Sequence, residues 1–444
     1  MHFDVLIRGG HIVTGSGVAE GDIGISGGKI AEVGDLATAT ADEVIGSAGL
    51  HVLPGLIDTQ VHFREPGMEH KEDIESGTRA AIFGGVTSIF EMPNTDPTTT
   101  TLGALEDKLR RAKGRAWCDY SFFVGASTEN IEDLAELEML PGTPGIKIFA
   151  GSSTGSLLVD SEEDLRRVLQ NGKRRCPVHS EDETRNRGRK ALISQNPHPR
   201  EHPFLRDSES ARLSTERILR LSRETGRPVH ILHVSTADEI PLIEKAKVDG
   251  LGTTCEITPQ HLWFATPEAY DRLGTLAQMN PPIRSEEHRL ALRNAVRAGL
   301  FDVVGSDHAP HTLEEKAKPY PQSPSGMPGV QTLLQVMLTL VKRDGLISLE
   351  ELVTLGCEGP ARIYGIKGKG SITPGMDADL VLIDLSKVVI FERPMVQSKC
   401  GWSPFEGETL NSPPAHVLLR GNAVIREGVL ASSPSGIAVG FEWK

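Results

Sequence analysis

No long block of lysine and arginine runs through this chain, and with 47 basic against 60 acidic side chains its formal net charge is −13. A phosphate-backbone partner demands a basic footprint, so no nucleic-acid partner is expected. No apolar stretch reaches the ~18 to 20 residues of a membrane helix. Residues 1–10 alternate like a strand and lack the basic and apolar regions of a secretory leader. No membrane partner and a cytoplasmic location are therefore expected. Cysteine is scarce: Cys118, Cys176, Cys255, Cys357 and Cys400 are odd in number, widely spaced and form no C-x-x-C pair, and they read as scattered reduced thiols. Short repeats and low-complexity tracts are missing as well.

What is present is an ordinary globular balance, 38% hydrophobic and 24% charged over 444 residues, enough apolar surface for a core. That length points to one large domain plus a smaller one. Short β-type runs at 3–8, 11–14, 22–26 and 29–33 are matched near the other end by runs at 379–384, 416–420 and 423–426, all punctuated by glycine or proline. Residues 1–52 and 371–444 are expected to form one composite β-sandwich-like domain. Between them, eight apolar runs (56–63, 87–92, 119–124, 146–149, 177–179, 229–234, 253–258 and 303–306) alternate with helix-like segments such as 102–113, 131–139, 209–224 and 285–298. Eight strand–helix units close a (β/α)8 TIM-like barrel, here expected over 53–370 within an α/β fold. A doubly wound open sheet gives much the same alternation.

The positions of polar residues favour the barrel. His62, Lys147, His179, His233 and Asp307 fall in or just past the ends of these runs, and in a barrel all the C-terminal strand ends meet on one face. Three imidazoles and a carboxylate suit a divalent ion such as Zn2+. A lone histidine at a strand end is more often a hydrogen-bonded rim residue, and it is the recurrence at corresponding places that raises the metal reading. Lys147 fits less simply, because a protonated amine repels a cation. Burial lowers its pKa, and a neutral amine can react with carbon dioxide to give an anionic carbamate. The plain alternative is a lysine in a buried salt bridge.

The segment Pro54-Gly-Leu-Ile-Asp-Thr-Gln-Val-His-Phe-Arg-Glu-Pro-Gly67 resembles the signature of the cyclic-amidase branch of the amidohydrolase superfamily, and its Phe-Arg-Glu-Pro-Gly tail is similar to that of dihydroorotases. Met92-Pro-Asn-Thr95, His230-Ile-Leu-His-Val-Ser235, Met279-Asn-Pro-Pro282 and Asp307-His-Ala-Pro-His311 resemble further blocks of that family in the same order, over essentially the whole chain. The resemblance implies one or two Zn2+ per chain on an N6-carboxylysine bridge at Lys147. His62 and Asp307 would hold the first metal, His179 and His233 the second, and Asp307 would also be the general acid/base. The family usually has His-x-His at the end of strand one, whereas this chain has Gln60-Val-His62. An amide oxygen at Gln60 would be a weak or absent ligand, so the first metal would be held less tightly, and a single-metal enzyme is a live variant.

The reaction implied is the reversible cyclisation of N-carbamoyl-L-aspartate to L-dihydroorotate in pyrimidine biosynthesis. Arg64 offers a planar fork for the ring carboxylate, joined by Asn94 and His311. Asn280, Ser325 and Gly326 are expected to touch the substrate ring or backbone, with residues 319–329 as a mobile loop. His198 and His202 lie in a Pro-rich loop that offers no rigid element to aim them at a metal. His261 and His308 are expected behind the ligands, and Gly151-Ser-Ser-Thr-Gly155 reads as the turn leaving strand four. The resemblance also implies a homodimer or an association with aspartate transcarbamoylase. The alternatives are another cyclic amidase (hydantoinase, dihydropyrimidinase or allantoinase) or a catalytically silent homologue serving as a partner subunit.

Overall fold

The structure, a computed structural model, describes residues 1–152 and 157–442. The predicted turn after strand four therefore lies, from Ser153 to Gly155, outside the described residues. Eight parallel strands form the central barrel: β1 (Leu56–Val61), β2 (Val86–Glu91), β3 (Asp119–Phe122, continued by Val124–Gly125), β4 (Ile146–Phe149), β5 (Cys176–His179), β6 (Val229–Ile231), β7 (Thr254–Ile257) and β8 (Val303–Val304). Every residue in them is buried. A strand covered on both faces by parallel neighbours and helices reads as a continuous apolar run rather than an alternation, and this is why these segments were legible. The ring closes where Val61 bridges His308 in parallel and His62 N–H donates to His308 O at 2.7 Å. The open doubly wound alternative is thereby overturned.

The surrounding helices start where side chains can satisfy their free N–H groups. Thr101 caps Leu102–Ala112, and Asp207 accepts from Ser210 N–H to cap Ser208–Thr225, whose far end stops at Gly226 in the left-handed region (φ 73°). One expected helix is shorter than its pattern: 131–139 resolves into a 3-10 turn, Ile131–Asp133, and a single turn, Leu134–Leu137. No described helix is long and apolar enough to cross a membrane.

The chain's two ends meet in one nine-stranded sheet. Leu380–Ile383 pairs antiparallel with His51–Pro54, which in turn pairs in parallel with His2–Thr14. The C-terminal stretch then returns to the barrel, where Ala438 bridges Tyr120 and Phe441 meets Phe90 edge-on at 5.6 Å. Between sheet and barrel sits a buried ion cluster. Lys369 Nζ lies 2.6 Å from Asp119 at the start of β3, also contacts Asp379, and lies 3.5 Å from Asp377; Arg420 reaches the same Asp119 at 2.6 Å. Burial disfavours the Lys369 charge, but Asp379 and Asp119 outweigh it and raise the amine above its usual range.

Removing that one cation strands buried carboxylates. Lys369→Met is expected to cost about 3–5 kcal/mol in urea unfolding. Lys387→Met, which breaks the exposed Lys387–Asp384 pair, is expected to cost less than about 1 kcal/mol. Equal midpoints for the two variants would show that the seam does not depend on Lys369.

Candidate active site

At the C-terminal end of the barrel one pocket gathers residues from nearly every strand. Gln60 ends β1, and His62 and Arg64 follow it; Asn94 follows β2; Lys147 and Phe149 lie in β4; His179 ends β5; His233 follows β6. Asn280 comes from the segment after β7, and Asp307, Ser325 and Gly326 from the segment after β8. Of the predicted site residues only His311 is off this wall, and it stands behind Arg64, its Nε2 3.4 Å from Arg64 Nη2. Three of these residues hold a backbone that non-glycine residues rarely adopt: Arg64 (φ 65°), His233 (φ 37°) and Asp307 (φ 45°). Such conformations persist only where the surrounding packing over-determines them, and they gather at functional sites.

The ionisable residues fall into two pairs around Lys147. On one side, His62 Nδ1–H donates to Asn94 Oδ1 at 2.7 Å, leaving Nε2 as the lone-pair nitrogen, 3.3 Å from Asp307 Oδ1. Gln60 Nε2 donates to that same Asp307 oxygen at 3.0 Å, and Gln60 Oε1 has no hydrogen-bond partner among the described residues. On the other side, His179 Nε2–H donates to Glu181 Oε2 at 3.0 Å, which turns the Nδ1 lone pair toward His233 Nε2, also 3.0 Å away. Burial lowers the pKa of all three imidazoles, so they are neutral and able to donate lone pairs. Lys147 is 1% exposed; among the described residues its Nζ has no hydrogen-bond partner, and it lies 4.4 Å above the Phe149 ring. Burial drives its pKa well below the usual lysine range, against the pull of Asp307 and Glu256.

The far wall is cationic. Arg64 is 1% exposed; its Nε donates to Pro310 O at 3.1 Å, while Nη1 has no hydrogen-bond partner among the described residues. His311 Nε2–H donates to Ser325 O at 3.1 Å and its Nδ1 faces Lys71 Nζ at 3.3 Å; burial lowers its pKa to about 3, so it remains neutral beside the guanidinium. A buried guanidinium with an open N–H is matched by an anionic ligand group.

Several supporting residues were not foreseen. Glu181 ties His179 to Arg206; burial opposes its charge, but Arg206 and His179 hold its carboxyl well below the usual range. A carboxylate on the distal nitrogen is what fixes a ligand histidine's tautomer. Lys316 Nζ donates to Gln278 O, Pro324 O and Gly326 O at 3.0, 2.9 and 3.1 Å. The 319–329 segment, expected to be mobile, is thus stitched to the segment after β7. Gly326 is required there: at φ 146° a Cβ would stand 2.3 Å from Ala309 O. His202 was placed in a loop but is buried at the start of a helical turn, His202–Leu205, and lies 2.9 Å from Asn280 Oδ1, whereas His198 is half-buried. His261 bonds Thr258 and Pro281 O, and His308 Nδ1 accepts from Gly329 and Val330 N–H; both lie behind the pocket wall. Only the tautomer logic of a histidine two residues before a glutamate could have flagged Glu181; Lys316 carries no local signal.

Among the described residues, no three His, Cys, Asp or Glu side chains form a cluster for a metal ion. The donors present nevertheless suit one. Two neutral imidazole nitrogens face each other on one side, an imidazole nitrogen and a carboxylate oxygen on the other, and an unpartnered amine couples electrostatically to both sides. What each pair lacks is a further ligand, since zinc takes three or four from protein.

The Amidohydrolase family model matches residues 51–187 and 207–424. A dihydroorotase of Methanosarcina mazei is 35% identical, covering 97% of this chain and 96% of its own length. An L-hydantoinase of Paenarthrobacter aurescens is 31% identical over 96% of this chain and 95% of its own. Among solved structures, the L-hydantoinase (dihydropyrimidinase) of Arthrobacter aurescens superposes with a TM-score of 0.93 at 29% identity, covering 98% of this chain and 99% of that one. The chain belongs to the amidohydrolase family.

Proposed function

We propose that this protein is a metal-dependent dihydroorotase, interconverting N-carbamoyl-L-aspartate and L-dihydroorotate for pyrimidine synthesis. The observation that carries the substrate assignment is the buried, open Nη1 of Arg64, backed by neutral His311 and set beside Asn94 at the wall of the pocket. Dihydroorotate bears a ring carboxylate to meet it; hydantoin, dihydrouracil and allantoin do not. A second reading, hydantoinase, is favoured by the likeness to L-hydantoinases in sequence and fold.

In this reading the neutral amine of Lys147 adds carbon dioxide and releases a proton, becoming N6-carboxylysine. His62 and Asp307 would hold one Zn2+ and His179 and His233 the other, with the carboxylated Lys147 as the further ligand that each pair lacks. Zinc, when bound, activates a water and polarises the amide carbonyl. Arg64 and Asn94 fix the ring carboxylate, which orients the scissile amide toward Asp307. Asp307 takes the proton of the attacking water and delivers it to the ring nitrogen as the C–N bond breaks, and in cyclisation it moves the proton the other way. Gln60, by donating to Asp307 Oδ1, holds that carboxylate in place.

Three outcomes are expected. Asp307→Asn lowers turnover in both directions by ~100- to 10,000-fold, and more than a tenth of wild-type activity would rule out its role. Arg64→Ala lowers kcat/KM for dihydroorotate by roughly 10- to 150-fold, the worth of a charge-assisted contact of about 1.5–3 kcal/mol, and leaves dihydrouracil hydrolysis unchanged; an equal loss on both substrates would remove the carboxylate from the assignment and favour the hydantoinase reading. Because Gln60 presents its N–H to Asp307, the metal beside His62 is the labile one, and dialysis against a weak chelator should take one zinc of two by elemental analysis. Gln60→His should retain both, and equal retention in wild type and variant would clear Gln60 of any effect on metal affinity.

A further inference from the structure

Beside the catalytic pocket lies a larger cavity of about 460 Å3, against about 20 Å3 for the pocket itself, and Asn280 and Ser325 form a wall common to both. Leu205, Ile193 and Pro321 give it apolar surface, and Lys190 brings an amine to its rim. Most polar groups around it are already committed. His202 is spent on Asn280 Oδ1 and Met279 O, and Arg206 on Glu181 and Ser152 O.

Asn186 is the exception. It sits on the helix Glu183–Arg189, lines the cavity and is 2% exposed, yet among the described residues neither its Oδ1 nor its Nδ2 has a hydrogen-bond partner. A buried amide left open at both ends is unfavourable unless a ligand or water completes it. Its complement is a group presenting one N–H and one C=O in a single plane. A ureido group, H2N–CO–NH–, does so, and an attached carboxylate would lie toward Lys190.

We propose that this chamber is a second binding site, specific for the open-chain ureido acid, with its carbamoyl edge on Asn186 and a carboxylate facing Lys190. The inference rests on the cyclic-ureide reading of the neighbouring pocket but not on its exact substrate, because hydrolysis of any cyclic ureide yields an N-carbamoyl amino acid. The open form is longer, more flexible and more highly charged than the ring, which suits the roomier of the two spaces. A ureido acid held there stands one residue, Asn280, away from the pocket that closes it.

Equilibrium dialysis of the zinc-loaded full chain with N-carbamoyl-L-[14C]aspartate tests this, since counting total label tolerates turnover. Wild type is expected to bind two equivalents per chain at saturation. Asn186→Leu should bind one, and should melt at or above the wild-type temperature because an unsatisfied amide has been removed. Asn186→Asp, which keeps the shape but repels the anion, should also bind one. Arg64→Ala should lose the other equivalent and keep the chamber's. A single equivalent in wild type that disappears with Arg64→Ala and ignores both Asn186 variants overturns the chamber and leaves the catalytic reading standing. Two equivalents in every Asn186 variant overturn it equally. Loss with Asn186→Leu but indifference to Arg64→Ala keeps the chamber and sinks the assignment of the pocket. Displacement of the chamber's label by unlabelled dihydrouracil would mean that the site reads a ring amide, and would overturn the open-chain assignment.

Discussion

An amine with nowhere to put its charge is the constraint on which the site depends. Lys147 is buried in the wall of the barrel with no hydrogen-bond partner among the described residues, and burial penalises its charged form beyond what Asp307 and Glu256 recover. Burying an isolated ammonium is costly enough that the group sheds its proton instead. The same burial keeps His62, His179 and His233 neutral. A set of lone pairs is thus assembled in a space from which water's competition has been largely removed, and such a set favours a divalent cation. The acids deeper in the barrel follow the same rule: burial raises the carboxyl pKa of Glu256 to about 8 and of Asp58 to about 7, so neither imposes a full negative charge near neutral pH.

Barrel closure makes this arrangement rigid. His62 N–H donates to His308 O across the β1–β8 seam, and Ser306 N–H donates to the Asp58 carboxylate at 3.1 Å just below it. Closure therefore locks the residues on either side of His62 and Asp307, which come from opposite ends of the barrel sequence. The left-handed backbone at Arg64, His233 and Asp307 shows where that rigidity is spent. Each lies just beyond a strand, where the chain must turn at once to present a side chain inward instead of continuing to a helix.

The parts of this molecule that were legible in the sequence are those whose signal is local. The apolar run at 146–149 coincides with β4 and that at 119–124 matches the two pieces of β3 to within one residue, because strands buried on both faces carry apolar side chains on both. His62, Lys147, His179, His233 and Asp307 could be singled out because they interrupt or end such runs. The helix read over 131–139 fell short because periodicity alone does not show that the chain turns again at Pro141–Gly142. Glu181, Lys316, Phe149 and Asn186 could not be assigned roles, since what matters about them is a partner distant in sequence or the lack of one. His202 was set aside for its proline-rich neighbours, yet it is buried against Asn280, where tertiary packing supplies the rigidity that the local sequence lacks.

One short stretch joins the pocket to the chamber beside it. His179 ends β5; two residues later Glu181 orients that histidine; Asp182 then caps the helix Glu183–Arg189 by accepting from Arg185 N–H, and one turn into that helix stands Asn186. Glu183, at the first helical position, accepts from Ser152 N–H at 2.8 Å, tying the helix to the segment that leaves β4, the strand of Lys147. These bonds are local or charge-assisted, and they leave the helix little freedom to shift without moving His179 as well. The open amide of Asn186 and the imidazole of His179 are therefore set at a fixed separation by a single strand-to-helix turn. A molecule that engaged the first would press on the element that holds the second.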